Sequence, residues 1–119
     1  MIFTNTKMFD SVPVLAQAKD EKGLLGYAIA VNLRKLGNEV AVYSQKRDEL
    51  LAQHGTPHPD HPGQYNLGPA EAAAFYEAMQ PLDQIETEVA VMQVPAEVFY
   101  SGTLTSGQMY ALDWMVKEE

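Results

Sequence analysis

The residues best suited to chemistry crowd into one short loop. His54, His58, Asp60 and His61 include every histidine of the chain together with a carboxylate, a donor set that suits zinc or nickel. Their spacing matches no ligand pattern, and Pro57, Pro59 and Pro62 stiffen the loop without converging the donors. A solvent-exposed polar turn without a metal is the expectation. A second group, Glu71, Glu77, Asp83, Glu86 and Glu88, raises the question of a glycosidase, which needs two converging acids in unlike environments. The spacing singles out no such pair, and a charged outer face accounts for them. Ser11, Ser44, Ser101 and Ser106 stand outside any nucleophile-elbow context. The chain has no Cys, which removes thiol nucleophiles, disulfides and Cys-based zinc sites. These residues define no catalytic site, so the expected protein is not an enzyme.

The sharpest chemical alternative is a nucleotide cofactor. Gly23 and Gly26, the run AIA at 28–30, Leu36 with Gly37 and the run EVAVY at 39–43 echo the turn, helix and second strand of a dinucleotide-binding unit. That unit requires a buried strand immediately before the glycines. Here the place is held by QAKDEK at 17–22, too charged for a central parallel strand. The glycine spacing is incomplete, and no acidic residue directly follows Tyr43 to hold a ribose hydroxyl. No cofactor is therefore expected.

The same stretch reads better as one long helix. Ile29, Leu36, Tyr43 and Leu50 recur every seven residues on one seam, with Leu33 and Val40 beside it. Asp20 and Glu21 suit the positive end of the helix dipole, and Gly55 with Pro57 stops the helix after about Gln53. At ~1.5 Å per residue this element is roughly 50 Å long, more than a small domain can cover. It needs a second helix, another copy or a partner. Gly26 and Gly37 are its weak points, each unfavourable by about 1 kcal/mol in a helix interior, unless they mark a kink or a close approach.

Around this helix the sequence places smaller elements. Residues 1–6 form a short strand, Pro13 starts or interrupts structure, and residues 14–19 form a short helix. Residues 55–68 are loop with a small hairpin strand at 64–67. Pro69 opens a helix that Pro81 ends. Residues 84–94 carry the best strand pattern, with Ile85, Val89 and Val91 on one face and Glu86 and Glu88 on the other. Residues 95–100 are a turn or short helix. Thr105 or Ser106 caps a last helix whose stripe is Met109, Leu112, Met115 and Val116. Trp114 on that helix is expected in the core. The fold expected is α+β in a single domain spanning 1–119: a long N-terminal helix or helical hairpin, a small antiparallel sheet and a C-terminal helix.

Hydrophobic residues make up 46% of the chain and charged ones 20%, a balance that supports a folded core rather than disorder. The formal net charge of −8 repels phosphates, so direct nucleic-acid binding is not expected. A well-solvated acidic surface is favoured over nucleic-acid mimicry. No apolar run is long enough to span a bilayer and no signal peptide is evident. A soluble protein suited to a reducing cytosol is expected.

One resemblance emerges from the order of short motifs. TNTK at 4–7, Asn32 with Leu33, KRDELL at 46–51, GQY at 63–65, ETEV at 86–89 and LTSGQMYALDWM at 104–115 together resemble a group of short, uncharacterised proteins of bacteriophages and prophages of Gram-positive bacteria. The likeness runs over most of the chain and is mainly structural. The loop from His54 to His61 departs from it, because the resemblance implies a plain acidic turn there. It carries no catalytic residues to transfer and implies a small phage accessory protein that acts by binding. The expected partner is a protein of host or phage, met through Lys46, Arg47, Glu49, Glu86 and Glu88. Inhibition of a host defence system, in the manner of an anti-CRISPR, and virion assembly as a homo-oligomer both fit.

Overall fold

The long helix exists and sets the dimensions of the molecule. In a computed structural model describing residues 1–118, helix α2 runs unbroken over Gly23–His54. Its 32 residues span ~48 Å at the standard rise, matching the longest extent of the molecule, 48 Å. The radius of gyration is 16.7 Å, against about 13.5 Å for a compact domain of this length.

The chain is an α+β fold. Strand β1 (Ile2–Thr4) leads directly into helix α1 (Asn5–Gln17), which packs along α2. After α2 come β2 (Thr56–Pro57) and β3 (Tyr65–Asn66), a minimal antiparallel hairpin, then helix α3 (Pro69–Asp83) against the lower part of α2. Strand β4 (Glu86–Glu88) pairs antiparallel with β1, in the register Ile2 with Glu88, Phe3 with Thr87 and Thr4 with Glu86. Helices α4 (Ala96–Tyr100) and α5 (Ser106–Ala111) and a 3-10 turn at Asp113–Met115 close the fold. A parallel bridge joins Val94 to Val116.

The apolar seam read from the sequence is the core stripe of α2. Leu25, Ala28, Ile29, Leu36, Val40 and Tyr43 are buried, while Leu33 and Leu50 pack at its margin. They meet Phe3, Met8 and Leu15 from the N-terminal elements and Phe99, Leu112 and Met115 from the C-terminal ones. Trp114 is in the core, its ring edge-on to Phe3 with centroids 5.2 Å apart. Asn32 is fully buried: its amide donates to the Met92 carbonyl at 2.9 Å and accepts from the Met92 N–H at 2.8 Å. A helix is thereby stitched to an irregular segment whose backbone would otherwise lack those partners.

Several expectations need correction. The long helix begins at Gly23, not Asp20. Lys22 is extended and Gly23 adopts φ +68, so residues 20–22 form a turn outside the helix. Glu21 there accepts hydrogen bonds from the Thr103 N–H at 3.0 Å and its hydroxyl at 2.7 Å, tying this turn to the loop before α5. The short helix expected at 14–19 is the end of the longer α1. Thr4 caps α1 by accepting from the Lys7 N–H at 3.1 Å, and Pro13 lies inside it on an exposed face. Pro81 likewise sits within α3, which continues to Asp83.

The strand expected over 84–94 is confined to Glu86–Glu88. After Val89, which still pairs with Met1, the chain leaves the sheet and follows α2, where Lys35 Nζ donates to the Ala90 carbonyl and Asn32 takes Met92. The dinucleotide reading needed residues 39–43 as a strand, and they are interior turns of α2. The expected cap at Thr105 holds: Thr105 and Gln108 form a reciprocal capping box at α5. The expected helical stripe is cut short, because α5 stops at Ala111 and Leu112, Met115 and Val116 lie beyond it, at the turn and in the bridge to Val94. Gly55 ends α2, where an added Cβ would lie 2.9 Å from both the Leu51 carbonyl and Tyr65.

Candidate functional site

Where α1, α2 and α3 converge, they leave an open cleft of about 210 Å³. Helix periodicity explains who lines it. Positions 36, 40, 43 and 47 form one stripe of α2, so Tyr43 and then Arg47 follow the last core residues onto the same face. Phe9 and Asp10 come from α1, Phe75 and Met79 from α3, and Asp83 from the end of α3.

The Tyr43 hydroxyl donates to Asp83 Oδ1 at 2.5 Å, and the Thr6 hydroxyl donates to the Asp83 carbonyl at 3.2 Å. Burial, reinforced by the hydrogen bond and the charge of Asp83, pushes the Tyr43 phenol up to about 12. Tyr43 is therefore a neutral hydrogen-bond donor near pH 7 rather than a base or nucleophile. The Arg47 guanidinium lies 5.0 Å from the Phe9 ring centroid and 5.8 Å from that of Phe75, so three helices meet around one cation. Among the described residues it forms no ion pair. The arrangement orients the Tyr43 hydroxyl and ties three helices together.

The five residues expected to meet a partner fall in three places. Lys46 and Glu49 form an exposed ion pair at 3.2 Å on the outer side of α2. Arg47 turns inward to the aromatic rings. Glu86 and Glu88 lie on β4, where Glu88 accepts from the N-terminal amine at 2.9 Å. Among the described residues no hydrogen bond or ion pair joins the α2 group to the β4 group. In the histidine loop, the His58 and His61 rings meet at a tilt of 50° with centroids 4.6 Å apart, and the Asp60 N–H donates to His58 Nδ1 at 3.1 Å. His54 ends α2. Among the described residues no group of three or more acidic or imidazole side chains is placed to hold a metal ion.

Sequence reasoning missed the cleft as a unit. Its signal was available: Arg47 falls on the apolar stripe, where an arginine buries its stem and stacks. No family model matches the chain, and no curated protein or solved structure matches it either. Among the described residues no helix is long and apolar enough to cross a membrane.

Proposed function

We propose that this chain is a non-enzymatic accessory protein of phage or prophage origin that acts by binding another protein, with inhibition of a host defence system as its role. The observation that supports it most is the lower third of α2. None of residues 44–54 is buried, yet the helix continues for three turns and carries Lys46 and Glu49 outward. Arg47, Leu50 and Leu51 turn inward from these turns, so their opposite side is a surface open to recognition. The acidic balance of the chain favours a protein surface with basic character over nucleic acid. On this reading the protein works in the host cytoplasm.

Affinity capture from host lysate tests the proposal, comparing the wild type with Lys46→Glu/Glu49→Lys and Glu86→Lys/Glu88→Lys. The expected result is a host protein retained by the wild type and lost with at least one charge-reversed variant. Retention of the same proteins by the wild type and both charge-reversed variants sinks the reading. A virion-assembly role draws on another observation, the exposed Leu24, Tyr27 and Val42 on the outer side of α2, which suit self-association. Light scattering separates the two, because assembly requires a stable oligomer and inhibition is served by a monomer.

A further inference from the structure

The two-stranded sheet has an outer edge on each strand, and the residues on the edge of β4 are acidic. Met1 and Val89 exchange both main-chain bonds, N–H to carbonyl at 3.1 and 2.9 Å, and the Asn5 N–H donates to the Ile85 carbonyl at 3.0 Å. In an antiparallel ladder these bonded pairs alternate with unbonded ones. Phe3 with Thr87 is therefore bonded, while Glu86 and Glu88 direct their N–H and carbonyl groups away from β1. Among the described residues these groups have no hydrogen-bond partner, and the sheet ends at β4. Both glutamates are exposed.

We infer that the free edge of β4 is a strand-addition site for a basic, extended segment of a protein partner. The inference rests on the protein-binding reading above and names its chemistry. An added strand satisfies main-chain groups that now face water. Glu86 and Glu88 favour lysine or arginine at alternate positions of that strand, on the face they share with Ile2 and Thr4. A second copy is disfavoured as occupant, since pairing β4 with itself sets glutamates against glutamates in a chain of net charge −8. Three residues make a short edge, so affinity comes from main-chain bonds and charge acting together.

The test uses two synthetic peptides, one alternating lysine with valine and its counterpart alternating glutamate with valine. Binding is read by heteronuclear NMR of the full chain. The lysine peptide should slow hydrogen exchange of the Glu86 and Glu88 amides at least tenfold and leave the Phe3 and Thr87 amides unchanged. The glutamate peptide should do neither. Glu88→Pro removes one outward N–H together with the carboxylate that pairs with the N-terminal amine; it should weaken binding at least tenfold, and more than Glu88→Gln, which loses the carboxylate alone. Glu86→Gln/Glu88→Gln, which spares the backbone, should weaken it severalfold and raise its salt tolerance. Binding of the lysine peptide without protection of these two amides, or no binding at all, overturns the inference. The lysate capture above remains an independent test of protein binding, since it also probes the α2 surface.

Discussion

Two glycines in one helix should respond oppositely to the same substitution. Alanine replaces glycine in a helix interior with a gain of about 0.5–1 kcal/mol, because the unfolded chain loses freedom. At Gly37 an added Cβ has nothing within 4 Å, so Gly37→Ala should realise that gain in full, raising Tm by about 2–4 °C. At Gly26 the added Cβ would lie 1.9 Å from the Glu21 carbonyl oxygen and 2.6 Å from its carbonyl carbon. Ordinary contact begins beyond 3.4 Å, so the turn at residues 20–22 must move by more than 1 Å. That movement pulls the Glu21 carboxylate from Thr103. Two lost hydrogen bonds and local strain outweigh the propensity gain, leaving Gly26→Ala about 1–3 kcal/mol less stable. Urea denaturation with unchanged m-values measures both variants. A Gly26→Ala protein as stable as the wild type would refute the argument, since it would mean that the turn is free to yield.

Asn32→Ala should cost about 2–4 kcal/mol in urea melts, because it strands the Met92 N–H and carbonyl beside a fully buried position. Asn32→Asp should be worse at pH 7 than at pH 4, where a protonated carboxyl can again donate to the Met92 carbonyl; equal losses at the two pH values count against the assignment. Since the Tyr43 phenol is raised to about 12 from 10.0, its stabilising contribution is present below pH 10 and is lost as pH rises from 10 to 12. The wild type should lose about 1–2 kcal/mol more than Tyr43→Phe across that window, as read by denaturant titration at stepped pH. Arg47→Lys keeps the charge but loses the planar stack on Phe9 and Phe75. It should lower stability by about 0.5–1.5 kcal/mol, and an unchanged melting temperature would contradict the clamp.

What the sequence made legible was periodic. The heptad spacing of Ile29, Leu36 and Tyr43 located the core stripe of α2, and the cap candidates Thr105 and Ser106 located the start of α5. Long-range chemistry was invisible to the same reading. The start of α2 depended on Glu21 reaching Thr103, some eighty residues away. Pro13 and Pro81 were read as breakers because local rules ignore tertiary packing; α1 and α3 run through them, held by Met8 and Leu15 in one helix and Phe75 and Met79 in the other. Val89 and Val91 looked like strand residues, but side chains of α2 take over the backbone partners of residues 90 and 92. The cleft needed three helices to be set side by side, and only Arg47, polar on an apolar stripe, hinted at it.

The pairing of β1 with β4 also fixes a timetable. Residue 2 meets residue 88, so on a ribosome adding 5–20 residues per second the first strand waits roughly 4–17 s for its mate to be synthesised. Helices α1 and α2 can collapse as a local hairpin well before that, leaving the Phe3 ring uncovered in the meantime. A nascent chain stalled before residue 86 should therefore display greasy surface that chaperones can engage, and one released after Val116 should not.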